Sequence, residues 1–236
     1  SQEADRIGRV DVQIRLVPTL HKETAGWKSR PFSYAAAKHG SDSPLSNRKP
    51  SRQPCRMQPD TPPRPDVRRA TPADIPLIRA LAAEAFPATY RDILAPEQID
   101  YMMEYMYSET SLAGQMAEGH VFLIPSLDGE PCGYLSVEQQ ATDLFHLQKI
   151  YLLPRFRGRG IGAMLFRCAV EHVRTRCPQA CRLELNVNRH NSAAVRFYER
   201  MGMRRLRDGD FAIGNGYFMN DHIMGMELGE ELTRCL

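Results

Sequence analysis

The amino-acid sequence predicts an α/β sandwich around a mixed sheet. Two patterns carry this. Apolar residues recur at helical spacing, then alternate, then return to helical spacing along the chain from Val67. One strand, a glycine-rich turn and a long helix also follow each other directly at 144–174, the mark of a helix laid against a sheet.

The chain has 236 residues, and 42% of them are hydrophobic. That excludes a disordered, fibrous or membrane-spanning protein and leaves one good-sized domain or two small ones. The net charge is +3, but it is unevenly placed. Residues 1–65 hold 12 basic and 6 acidic side chains, against 19 and 22 in residues 66–236. The surplus belongs to a basic arm, and the domain that follows is acidic.

Residues 1–65 are rich in Ser, Pro, Arg and Lys and show no sustained period, so they read as a flexible arm. Their basic residues are dispersed, which favours a solvated tail over a nucleic-acid contact. The first methionine is Met57 and domain-like patterning begins at Val67, so Met57 reads as the native start and residues 1–56 as an upstream extension. No apolar run reaches the length of a membrane span or of a secretory signal, and a cytoplasmic protein is expected. Six dispersed cysteines fit reduced thiols. Cys177 and Cys181 form the only close pair, with no second pair or His cluster to complete a zinc site, so no metal is expected.

Each element has its own signal. Thr71-Pro72-Ala73-Asp74 supplies a cap, a first-turn proline and an acid, and Ile75, Ile78, Leu81, Ala82 and Ala85 then follow on one helical face. Residues 96–107 and 111–117 read as short helices. Residues 120–125 and 133–138 alternate around the turn SLDGEP and predict a hairpin. Residues 144–152 read as a strand and 160–174 as a helix with Ile161, Met164, Leu165, Ala169 and Val173 on one face. A strand at 183–187, a helix at 191–201 ended by Gly202, and one or two strands within 211–228 complete the domain.

The informative segment is LQKIYLLPRFRGRGIGAMLFRCAVEHV. Glycines let a backbone approach a bulky anion, and the first-turn N–H groups of a helix point at it with the positive end of the helix dipole. Arg155, Arg157 and Arg159 add forked donors suited to phosphate oxygens. A nucleoside-triphosphate loop is excluded, because no Lys-Ser/Thr pair follows the glycines. A dinucleotide fingerprint matches at Gly158, Gly160 and Ala163, with Glu184 downstream, but only one strand–helix–strand unit is visible and four residues intervene between strand and glycines.

Arg157-Gly158-Arg159-Gly160-Ile161-Gly162 fits [QR]-x-x-G-x-[GA], and LNVNRHNSAAVRFYERMGM fits a second motif through Leu185, Val187, Asn191, Ala194, Phe197, Tyr198 and Gly202, with Met203 where phenylalanine is usual. In both, over about residues 67–228, the chain resembles the GNAT N-acetyltransferases. The resemblance implies a mixed, mostly antiparallel sheet flanked by helices, with a splayed parallel strand pair holding acyl-CoA. It implies acetyl-CoA as co-substrate, bound by main-chain groups of Ile150, Tyr151 and Leu152, by the loop Arg157, Gly158, Arg159, Gly160, Ile161 and Gly162, and by Asn191 and Tyr198.

By the same resemblance Tyr198 is the expected general acid for the departing thiolate. An amine acceptor must lose a proton before attack, and Glu138 and His146 are the candidate bases, with Asp143 a third. His120, His172, His190 and His222 read as surface or packing residues. The expected reaction is direct acetyl transfer from acetyl-CoA to a primary amine, polyamine-like, small or peptidic. The segments EAFPATYRD and GYFMND are loosely similar to bacterial polyamine acetyltransferases. Neither a nucleic acid nor a membrane is an expected partner, and pairing into a homodimer is common among such relatives. A non-catalytic acyl-CoA sensor on the same fold is the alternative, with the basic arm as a nucleic-acid contact and an NAD enzyme as further rivals.

Overall fold

A computed structural model describes residues 65–229. Met57 and nearly all of the basic arm lie outside the described residues. The chain opens with a short strand, β1 (Asp66–Arg69), and a single turn of tight helix, then runs through α1 (Ile75–Ala85), α2 (Pro87–Tyr90), α3 (Pro96–Tyr107) and α4 (Glu109–Ala117). The strands β2 (Val121–Leu127), β3 (Glu130–Pro131), β4 (Gly133–Ala141) and β5 (Leu144–Leu152) follow. The second half alternates α5 (Ile161–Arg176), β6 (Cys181–Asn188) and α6 (Ser192–Arg200), and ends in β7 (Arg204–Gly214) and β8 (Tyr217–Leu228).

The sheet order is β1-β2-β4-β5-β6-β8-β7, with β3 paired to β2. Every pairing is antiparallel except β5 with β6. The expected mixed, mostly antiparallel sheet is therefore present. Four elements differ most from the sequence reading. β1 and α2 are four residues each, too short to show a period. β7 begins at Arg204 because an edge strand tolerates RRLRDGD on an exposed surface. Gly160 stands before the long helix in a left-handed conformation, so the helix starts one residue later, at Ile161.

One irregularity decides what faces what. Along β4 and β5, Ser136 lies opposite Lys149 but Val137 lies opposite Leu147, so Gln148 is an extra residue in β5. An inserted residue passes the following side chains to the other face of a sheet. His146 and Glu138 thereby join Tyr134, Ser136, Lys149 and Tyr151 on one face, and register carries that face on to Glu184, Asn186, Asn188 and Asp221. Helices α1 to α4 cover it: Tyr107 accepts a hydrogen bond from Tyr134, and Gln115 from Lys149. Phe145, Leu147, Leu183 and Leu185 turn to the opposite face. Helix α5 packs against β5 and buries Leu165, Ala169 and Val173 completely, each larger apolar side chain contributing about 1.5–3 kcal/mol.

Candidate active site

β5 and β6 are paired only where Leu144, Phe145 and His146 meet Arg182, Leu183 and Glu184. Beyond that point β5 runs on to Leu152 beside β4, and β6 runs on to Asn188 beside β8, with no ladder between them. The sheet opens into a gap edged by Ile150, Tyr151 and Leu152. The carbonyl of Leu152 accepts a hydrogen bond from Arg157 Nε at 3.1 Å.

The glycine loop closes one end of this gap. A tight turn at Pro154–Phe156 leads to Gly158 (φ 76°) and Gly160 (φ 78°), both left-handed, where a side chain is strained although a Cβ meets nothing within 4 Å. In α5 the amide of Met164 donates to the carbonyl of Gly160, so those of Ile161, Gly162 and Ala163 have no partner within the helix. Three N–H groups therefore stand free at the positive end of a 16-residue helix, beside two glycines with open space around them.

The three loop arginines have three different fates. Arg155 is paired to Glu84 at 2.6 Å and Glu130 at 2.8 Å. Arg157 folds back under the loop and donates to Leu152 O, Ala85 O and Thr89 Oγ1. Arg159 lies over the Phe156 ring, with its guanidinium 5.6 Å from the centroid, and has no acidic partner among the described residues. A trio of phosphate-directed guanidiniums is thus reduced to Arg159.

Tyr198, on α6, is 9% exposed and packs its ring against Phe166 and Phe197. Burial, then the neighbouring Tyr90, pushes its hydroxyl well above the usual tyrosine range, so it keeps its proton at neutral pH. It neighbours Tyr151, whose hydroxyl lies 3.4 Å from that of Tyr90. Tyrosines from α2, β5 and α6 are therefore neighbours. Asn191 caps α6, its Oδ1 accepting from the amide of Ala194 at 3.2 Å.

Glu138 and His146 stand opposite each other across β4 and β5. Glu138 Oε2 accepts from Gln148 Nε2 at 2.7 Å and lies 3.8 Å from His120 Nε2. His146 Nε2 lies 3.2 Å from Asn186 Oδ1, and burial holds its pKa below the ordinary histidine value. Asp143 sits in the exposed turn before β5, on the far side of the paired segment from the gap.

Several polar residues of this face were given no functional role in the sequence reading, His120 among them as a surface or packing residue. His120 is buried beside Ser136, and burial, reinforced by Lys149, lowers its pKa to about 4. Lys149 is buried, which lowers its pKa to about 8, and its ammonium bonds to Gln115 Oε1 at 2.6 Å. Asp221 is 4% exposed; Asn186 Nδ2 donates to its Oδ2 at 3.3 Å, and its Oδ1 has no hydrogen-bond partner among the described residues. Burial raises Asp221 to about 6. The available signal was its place between Met219 and Ile223, an acid where the alternation calls for an apolar side chain.

A sheet parted between two parallel strands, beside a helix start with free amides and a protonated tyrosine, has the parts of an acyltransferase that takes its acyl group from a phosphate-bearing carrier. The chain belongs to the acetyltransferase (GNAT) family, whose model matches residues 76–203. It is 31% identical over 150 residues, 60% of this chain and 86% of the relative, to an uncharacterized N-acetyltransferase in the pepI 3' region of Lactobacillus delbrueckii subsp. lactis. In fold it is similar to the PaiA N-acetyltransferase of Thermoplasma acidophilum in complex with coenzyme A, with a TM-score of 0.59 and 23% identity over 70% of this chain and 99% of that one. It is also similar to yncA, a putative acetyltransferase of Salmonella typhimurium with its cofactor acetyl-CoA, with a TM-score of 0.51 and 17% identity over 71% and 95%. Acetyl-CoA is the co-substrate of this family. Among the described residues no cluster of His, Cys, Asp and Glu could hold a metal, and no helix is long and apolar enough to cross a membrane.

Proposed function

We propose that the protein transfers an acetyl group from acetyl-CoA directly to a cationic primary amine. The observation that carries the reading is the gap where β5 and β6 part, with the free amides of α5 at one end and Tyr151, a neighbour of Tyr198, on its edge. Bound acetyl-CoA supplies a thioester carbonyl open to attack by an amine. The amides of Ile161, Gly162 and Ala163, with Arg159, hold the pyrophosphate through the free donors of a helix start. The unpaired edge at Ile150, Tyr151 and Leu152 holds the pantetheine arm, and a backbone N–H there polarises the carbonyl, usually the largest catalytic contribution. Arg157 shapes the loop from beneath, and Asn191 orients α6.

Tyr198 keeps its proton until a thiolate departs and then donates it. Glu138 and His146 are the proton acceptors for the amine, and His146 is neutral at neutral pH because of its burial. Acidic side chains on the same face, Glu138 and Asp221, favour a cationic acceptor, while Glu184 there is paired to Arg207 at 3.0 Å. No covalent acyl-enzyme is involved: burial pushes the thiols of Cys132 and Cys168 up, away from the nucleophilic thiolate. The described cysteines are free thiols, in keeping with a cytosolic setting.

The test is release of free thiol from acetyl-CoA across a panel of polyamines, amino acids, aminoglycosides and peptides. Release with at least one amine is expected. No release with any of them, alongside tight acetyl-CoA binding, replaces the enzyme with the sensor.

A further inference from the structure

We propose that Asp221, acting through Asn186, locks His146 in the tautomer that carries its hydrogen on Nε2 and leaves the Nδ1 lone pair as the proton acceptor for the incoming amine. This rests on the acetyltransfer reading above. The argument is one of donors and acceptors. An ionised carboxylate only accepts, so the group that Asn186 turns to Asp221 Oδ2 at 3.3 Å is its amide NH2. The same side chain then presents its carbonyl Oδ1 to His146 Nε2 at 3.2 Å, and that nitrogen is the N–H donor. In a neutral imidazole the other nitrogen is bare. Nδ1 of His146 is buried and has no hydrogen-bond partner among the described residues. A buried lone pair without a donor costs stability, and a base awaiting its substrate's proton accounts for it.

His146 is the residue where β5 and β6 separate, so the relay crosses the closed end of the gap from β5 through β6 to β8. The charged and titratable groups around His146 are Glu138 on β4, Glu184 on β6, Lys149 on its own strand and His120 just before β2. Around Asp221 they are Arg189, Asp210 on β7 and His222, with Tyr90 facing it from α2. Arg189 donates to the Asp221 and Gly209 carbonyls and to Asp210, and His222 Nδ1 lies 2.7 Å from Asp208, so neither reaches the Asp221 carboxylate. Its one hydrogen-bond partner among the described residues is Asn186, which makes Asn186 and Asp221 positioning residues.

In the step itself an N–H bond of the acceptor breaks, its proton passes to Nδ1, and the electron pair left on nitrogen forms the new C–N bond. The departing sulfur takes the C–S pair and the Tyr198 proton, and the second N–H proton shed by the new amide nitrogen restores the Tyr198 hydroxyl. The imidazolium formed on His146 faces Glu138 and Glu184. Asp221 titrates at about 6. Above that pH the carboxylate holds the lock. Below it the carboxyl is a donor, the Asn186 amide is free to turn, and turnover falls.

Two measurements test this. Nitrogen-15 NMR of histidine-labelled wild-type protein near neutral pH reads the tautomer without any acceptor: Nε2–H on His146 is expected, and Nδ1–H overturns the proposal. Asp221→Asn, whose amide both donates and accepts, is expected to mix the two tautomers. With the best amine of the panel its turnover should fall roughly 10- to 100-fold, the effect of losing an orienting partner, with an acetyl-CoA KM within about twofold of wild type. An unmixed tautomer and unchanged turnover in Asp221→Asn overturn the proposal while acetyl transfer stands. Full loss of turnover in Glu138→Gln beside an active His146→Gln gives the base to Glu138 and also overturns it. Wild-type protein with the expected tautomer but no thiol release retires the acetyltransfer reading and, with it, the role given to Nδ1.

Discussion

The guanidinium of Arg157 donates to Thr89 Oγ1 at 2.9 Å, and through that contact the glycine loop is tied to the corner between α1 and α2. Thr89 in turn donates to the Ala85 carbonyl at 2.7 Å, and Arg157 reaches the same carbonyl. An arginine placed in a phosphate loop by its motif is thus a brace between the two halves of the domain. A forked, multiply donating side chain suits that task better than a lysine.

Arg157→Ala should therefore cost stability, about 1–2 kcal/mol for hydrogen bonds from a charged donor, lowering Tm by roughly 2–8 °C. Arg157→Lys should recover only part of it. Arg159→Ala should leave Tm unchanged and raise the KM for acetyl-CoA. Thermal melts and initial rates on the three variants check the division; equal Tm loss in both alanine variants refutes it.

Gly162 separates fold from ligand more cleanly. It lies inside α5, and a Cβ there would meet Phe197 and Leu152 at 3.7–3.8 Å, ordinary contact distances. Gly162→Ala should keep or raise Tm, since alanine is favoured in helices by about 1 kcal/mol, yet weaken acetyl-CoA binding. Gly158→Ala and Gly160→Ala should lower Tm instead, because a left-handed backbone costs a side chain about 1–2 kcal/mol. Unchanged acetyl-CoA affinity in Gly162→Ala would move the phosphate site elsewhere.

Tyr198→Phe keeps the ring contacts with Phe166 and Phe197 and removes the proton. Turnover should fall by about 100-fold or more, the ordinary scale of general acid catalysis, with acetyl-CoA affinity and Tm unchanged. Single-turnover rates beside a binding titration separate the two effects. A variant as fast as wild type takes Tyr198 out of the chemistry.

The long periodic elements and the glycine loop were legible in the sequence because each has a local cause: an alternation, a helical stripe, a glycine with positive φ. The direction of Arg157 was not legible, since its partners Ala85 and Thr89 lie about 70 residues away in the chain and nothing near Arg157 announces them. The polar face was hidden for a different reason. Gln148 is an extra residue that only pairing with β4 reveals, and without it Lys149 and His146 read as opposite faces of one strand. Asp221 did leave a trace in its alternating strand, but an acid near a chain end reads as solvated until β6 and β7 are seen on both sides of it.

That buried acid gives the last prediction. An ordinary aspartate binds its proton below about pH 4, and Asp221 in the folded protein does so at about 6. Between those values the folded state holds a proton that the unfolded state has lost, so this residue's contribution falls as pH rises from about 4 to 6 and stays unfavourable above. Asp221→Asn abolishes that penalty while its Oδ1 can still accept from Asn186. Near neutral pH the variant should be more stable by about 1–3 kcal/mol, a Tm gain of roughly 2–10 °C, and the gain should vanish below about pH 4. Melting curves of both proteins across that range test the sign. A variant less stable than wild type at neutral pH would mean that the Asp221 carboxylate is compensated in the fold. A variant more stable but slower would mean that the acid is kept at the expense of stability for what it does to His146.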